Sequence, residues 1–131
     1  MHRNLKKAPL VLPLLLLILT LGVAACGGTS ATTNAPANEV DMGAANFIQT
    51  SRTITAGDSI HFVAEQGGAT HVLCIGKDGG CDAGATGPQD LTGQGFTIQP
   101  GESHDVQFDK AGVYHITCPI HPSMNLVVTV R

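Results

Sequence analysis

From residue 46 onward the chain is written in short runs of alternating apolar and polar residues, and nowhere does it carry an apolar stripe at helical spacing for three turns. A period of two places successive side chains on opposite faces of a sheet, whereas a helix buried on one face needs a repeat near 3.6. The folded part is therefore expected to be all-β. Candidate strands are Asn46 to Ile54, Ser59 to Ala64, His71 to Ile75, Gly95 to Ile98, Ser103 to Phe108, Gly112 to Cys118 and Met124 to Val130. Turn residues separate them at Ala56-Gly57-Asp58, Gln66-Gly67-Gly68, Pro100-Gly101-Glu102 and Lys110-Ala111-Gly112.

About seven to eight strands over residues 39–131 fit an antiparallel two-sheet Greek-key β-sandwich, cored by the inward positions of both sheets. The expected core is Phe47, Ile54, Ile60, Phe62, Val72, Ile98, Val106, Phe108, Tyr114, Ile116, Val127 and Val130. With no Trp and only four Phe and one Tyr, that core is modest, so a disulfide or a bound metal would add noticeably to stability. Gly76 to Gly95 is rich in Gly, Ala, Asp and Pro and reads as a surface loop, with room for a short helical turn around Pro88 to Leu91.

The amino-terminal part obeys other rules. Arg3, Lys6 and Lys7 precede Leu10 to Leu21, a stretch of Leu, Val and Ile broken only by Pro13 and Thr20. This is the charged start and apolar middle of a signal peptide over residues 1–25. The apolar run is shorter than the roughly 20 residues of a permanent span, which makes a retained transmembrane anchor the second choice. Val23-Ala24-Ala25-Cys26 resembles the lipobox of bacterial lipoproteins, and by that resemblance Cys26 becomes a lipid anchor. The competing reading is an ordinary secreted protein in which Cys26 is an unpaired thiol, a liability outside the cell. Residues 26–38, after the cysteine small, polar and uncharged, cannot bury enough surface to offset their ordering entropy and read as a flexible tether.

Loss of residues 1–25 removes three of the seven basic residues and leaves four against ten acidic ones, a formal charge of −6. Such a domain repels phosphate backbones and anionic lipid heads, so nucleic acid is not an expected partner. A partner steered by charge should be basic.

Chemistry concentrates near the carboxyl end, in Gly112-Val113-Tyr114-His115-Ile116-Thr117-Cys118-Pro119-Ile120-His121-Pro122-Ser123-Met124. A strand ends in Cys118, a short loop bears His121, and Met124 opens the last strand. Thiolate and thioether favour copper, imidazole suits both its oxidation states, and Cys with two His and a weak axial Met is the blue-copper donor set. Zinc would not select the methionine. His71, 47 residues before Cys118 on a different strand, supplies the second imidazole.

In this arrangement the chain is similar to the cupredoxin family of type 1 copper proteins. The likeness extends over the whole folded part: Ile54-Thr55-Ala56-Gly57-Asp58-Ser59-Ile60-His61-Phe62 looks like the family's early Gly-Asp strand. Gln99-Pro100-Gly101-Glu102 through Phe108 and the Gly112-x-Tyr114-x-x-x-Cys118 strand also match. The Cys-x-x-His-x-x-Met spacing is closest to that of amicyanin. The resemblance implies one copper ion, Cu(I)/Cu(II), held by His71, Cys118, His121 and Met124, and a monomer that carries single electrons. It also implies an electron port at the outer edge of His121, framed by Ile120, where redox partners dock. Two departures stand out. Thr70-His71-Val72 lacks the Asn that follows the first histidine in many relatives, and Pro119 removes a backbone N–H near the sulfur; fewer donors to the thiolate should alter potential and spectrum.

Cys74 and Cys81 flank a hairpin-like turn containing Gly76, Asp78, Gly79 and Gly80 and are expected to form a disulfide in an oxidising compartment; free thiols or a second metal ligand are the alternatives. Cys74 lies three residues after His71, hence on the opposite strand face. His61, His104 and His115 are expected at the surface. The functional expectation is a membrane-anchored extracytoplasmic electron carrier and not an enzyme. Its alternatives are a copper chaperone or buffer, which would expose its ligands, and a redox-silent β-sandwich for adhesion.

Overall fold

The structure, a computed structural model, describes residues 37–131. The expected leader over 1–25, Cys26 and most of the 26–38 tether lie outside the described residues. Chain order gives β1 (Glu39–Met42), β2 (Ser51–Ile54), β3 (Ser59–Ala64), β4 (His71–Lys77) and β5 (Gly80–Cys81). A single 3-10 turn (Gln89–Leu91) follows, then β6 (Phe96–Ile98), β7 (Ser103–Gln107), β8 (Gly112–Thr117) and β9 (Asn125–Val130). One sheet has the order β1-β3-β7; the other runs β2-β9-β8-β4-β5, with β6 added to β4. Among the described residues no helix is long and apolar enough to cross a membrane.

The alternation read from the sequence does its work most plainly in β3, where Ile60, Phe62 and Ala64 are buried while His61 and Val63 stay half-buried on the other face. Burying a side chain the size of Phe62 or Ile60 stabilises the fold by roughly 1.5–3 kcal/mol each. The all-β sandwich stands, with nine strands among the described residues and with mixed sheets: β1 lies parallel to β3 and β2 parallel to β9. The cause lies in the run expected as one strand from Asn46 to Ile54. Residues 46–50 leave the ladder, Phe47 makes only an isolated bridge back to Met42, and pairing resumes at Ser51. That break lets the chain cross from one sheet to the other.

Ten of the twelve expected core residues are buried, joined by Val40, Met42, Leu73, Leu91, Leu126 and Val128. Val72 and Val127 are the exceptions and are only half-buried. Both fail for the same reason: His71 and Leu73 face inward on β4, and Leu126 and Val128 on β9, so the valines between them face out. In β4 the buried run Leu73-Cys74-Ile75 breaks strict alternation because outward-facing Cys74 is covered by its disulfide to Cys81, with Cα atoms 5.6 Å apart.

The segment expected as a loop from Gly76 to Gly95 contains the end of β4, the two-residue β5 and the 3-10 turn. It packs closely on β4: a Cβ at Gly95, where φ is +71°, would meet the Leu73 carbonyl oxygen at 1.8 Å. Among the leftover histidines, His61 is partly exposed and paired with Asp105 at 2.7 Å. His104 shares a strand face with buried Val106, stacks on Phe96 with centroids 4.3 Å apart, and contacts Asp90 at 2.9 Å. It is therefore an edge-of-core residue and not a freely solvated one.

Candidate metal centre

Three strand ends meet at one end of the sandwich. Cys74 of β4 pairs with Thr117 of β8, and Thr117 pairs with Asn125 of β9, so the start of β4 and the β8–β9 connection lie side by side. His71 opens β4, Cys118 follows β8 directly, and Met124 precedes β9. The connection is wound into a compact loop by its own backbone. The amide of Cys118 donates to the Met124 carbonyl at 3.3 Å, His121 donates to the Cys118 carbonyl at 3.1 Å, and Met124 donates to the His121 carbonyl at 2.8 Å. Pro119 and Pro122 occupy positions whose amides these turns do not need.

His71, Cys118 and His121 each present a donor atom, and these atoms lie within 4.8 Å of one another. Cys118 Sγ is 3.6 Å from His121 Nδ1, and the two imidazole centroids are 5.0 Å apart. His71 and Cys118 are fully buried and Met124 is 1% exposed, in the same end of the core; His121 is partly exposed and Ile120 beside it is 52% exposed. The four expected ligands thus stand at or just beyond neighbouring strand ends, and three of them bring their donor atoms together. Cys74, bonded to Cys81, faces away from them.

The two nitrogens of His71 have different fates. Nε2 lies 3.0 Å from the Gly43 carbonyl, an acceptor, which requires that nitrogen to carry the proton. Nδ1 then has a bare lone pair, and it is buried with no hydrogen-bond partner. An unsatisfied buried nitrogen costs roughly 1–3 kcal/mol, and a soft-to-borderline cation satisfies it directly. Burial first, and the neighbouring His121 second, hold His71 below its ordinary value of 6.5, against an opposing effect of the Gly43 hydrogen bond. The neutral imidazole that a metal needs is therefore the form the fold favours. The residues present fit a copper ion.

Gly43 is the functional residue that side-chain reading missed. It is buried at the end of β1, and a Cβ there would come within 2.8 Å of Asn46 Oδ1. The group that matters is a backbone carbonyl, and the only sequence signal is a glycine between apolar stretches, which marks any turn. What the arrangement offers chemically is a cluster of two imidazoles and a buried cysteine sulfur, with the Met124 side chain buried nearby in the chain and the His121 edge near the surface.

Comparison with known proteins agrees with this geometry. A family model described as copper binding proteins, plastocyanin/azurin family, matches residues 35–131. The plastocyanin of Scenedesmus fuscus is 31% identical over 93 residues, spanning 69% of this chain and 89% of that protein. Among solved structures, amicyanin from Paracoccus versutus superposes with a TM-score of 0.55 at 20% identity, covering 76% of this chain and 87% of that one. An oxidised amicyanin variant gives 0.58 at 19% identity, covering 74% and 84%.

Proposed function

Since the chain belongs to the plastocyanin/azurin family of copper-binding proteins, an electron-transfer family and not one of enzymes, we propose that His71, Cys118, His121 and Met124 hold its single copper ion. Bound copper supplies a one-electron couple between two oxidation states. The protein's own part is to hold the donors still. Gly43 fixes the His71 tautomer and ring, the backbone turns of residues 118–124 fix the other three, and burial of Cys118 excludes water from the sulfur. A frame that needs little rearrangement between oxidation states favours rapid transfer.

The observation that carries the reading is the buried, unpartnered Nδ1 of His71 beside Cys118 and His121. A chaperone or buffer reading fits less well, because handover asks for accessible ligands and three of these four are buried. Electrons are proposed to pass at the partly exposed edge of His121, with the exposed Ile120 as apolar contact for a partner whose surface is basic. The proposal extends to location: an extracytoplasmic monomer held at a bacterial membrane through lipidated Cys26 and the tether of residues 26–38. The Cys74–Cys81 disulfide is consistent with an oxidising compartment.

The test is a Cu(II) titration of the purified chain followed by visible absorption, beside Cys118→Ala. An intense thiolate-to-copper band that bleaches on reduction and is absent from the variant is the expected result. A band that survives without Cys118, or no band at all, would refute the assignment. For location, mass spectrometry of the protein from its native membranes should find diacylglycerol on Cys26; an unmodified soluble form would sink the anchor.

A further inference from the structure

The β4–β5 hairpin reaches across to the loop of residues 118–124. Its tip, Asp78-Gly79, has both residues at positive φ, +51° and +79°. From there the Asp78 amide donates to Asn125 Oδ1 at 2.9 Å and the Gly79 amide donates to Thr117 Oγ1 at 2.9 Å. Asn125 Nδ2 returns a bond to Asp78 Oδ1 at 3.2 Å and donates to the Pro122 carbonyl at 3.3 Å. The Thr117 hydroxyl, having accepted from Gly79, donates to the Met124 carbonyl at 3.1 Å. These contacts touch the residue before Cys118, the residue after Met124, and Pro122 and Met124 within the loop. The approach is close: a Cβ on Gly79 would lie 2.9 Å from Pro122 Cβ, so only glycine lets the tip sit there.

The hairpin is short and its second strand has only two residues, so by itself it would be a weak support. The Cys74–Cys81 disulfide closes it at the base, and Cys74 sits opposite Thr117 in the sheet. We propose that this disulfide-closed hairpin is a brace for the metal-ligand loop, with Asn125 and Thr117 as positioning residues that act through it. Thr117 lies on the strand side of the loop and Asn125 on the far side, so the brace pins both ends at once. The consequence for copper rests on the reading given above, but the brace itself can be observed without metal.

The experiment is peptide-resolved amide hydrogen exchange of the metal-free full chain, with copper release to a chelator measured on the loaded chain. Asn125→Ala is expected to speed exchange over residues 118–124 roughly tenfold, since it removes three hydrogen bonds, two to Asp78 and one to Pro122. Opening the hairpin with Cys74→Ala plus Cys81→Ala should accelerate the same amides. Tyr114→Phe, which removes the bond from Tyr114 Oη to the Lys110 carbonyl at the other end of β8, should leave them within about twofold. Copper release should accelerate roughly tenfold in the Asn125 variant. Wild-type exchange in residues 118–124 of either brace variant, or equal acceleration in Tyr114→Phe, would overturn the proposal. A chain that takes up no copper, yet shows the local acceleration, refutes the copper reading and leaves the brace standing.

Discussion

Replacing Cys74 and Cys81 by alanine removes a cross-link across a sequence separation of seven. In the chain-entropy treatment, closing a loop of that size takes about 8 cal/mol/K from the unfolded ensemble, or about 2.5 kcal/mol at 25 °C. For a folded part of this length, each kcal/mol moves the melting temperature by roughly 4–8 °C, so a fall on the order of 10–20 °C is expected. Alanine is the right replacement because Cys74 is fully buried and a serine hydroxyl would add an unsatisfied group. The assay is urea unfolding of the metal-free double variant against wild type, both in non-reducing buffer. A cross-link this local hardly changes the dimensions of the denatured chain, so the midpoint should shift while the slope stays the same. A loss below about 1 kcal/mol, or a change carried mainly by the slope, would refute the reasoning, because the bridge would then not act by restricting the unfolded state.

Two further outcomes follow from the electrostatics. His71 is held below 6.5 in the folded state, chiefly by burial, so the unfolded chain binds more protons between that lowered value and 6.5. The stability of the metal-free chain should therefore fall as pH drops through 6.5 toward the lowered value and be flat on this account above it. His71→Gln should remove that part of the slope, as urea midpoints at about pH 5 and about pH 7.5 would reveal; equal slopes in both proteins would count against it. Residues 26–131, with four basic and ten acidic side chains and a formal charge of −6, should also steer encounters. The second-order rate of electron exchange with a small basic haem protein is expected to fall steeply as salt rises from about 0.01 to about 0.15 M, where the screening length shrinks from about 30 to about 8 Å. A flat rate, measured by stopped flow, would exclude charge steering.

Much of the sandwich was legible because most strands have one dry face. Ser59–Ala64 came out with the observed bounds, and β4, β6, β7, β8 and β9 within two residues of theirs. β1 was missed although Glu39–Met42 alternates, since four residues next to an uncharged tether carry little signal and their pairing with β3 is tertiary. β5 depends on the hairpin that the disulfide closes. Val127 shows a different limit: Leu126-Val127-Val128 is apolar on both faces, so composition cannot choose the inward side. Counting in twos from Met124 would have chosen it, because Met124, Leu126, Val128 and Val130 share a face. The clustering of His71, Cys118 and His121 was readable since their chemistry and spacing are local to one loop plus one distant histidine. The groups that hold that set in place, the Gly43 carbonyl and the Asp78 and Gly79 amides, were not, because a backbone donor or acceptor leaves no trace in residue type.

The direction of β1 has a steric consequence. The strand enters the fold at Glu39 beside His61 and runs toward Gly43, whose carbonyl touches His71. Four residues of strand advance about 13 Å. Glu39, where the strand begins, therefore lies about that far from the carbonyl that touches His71.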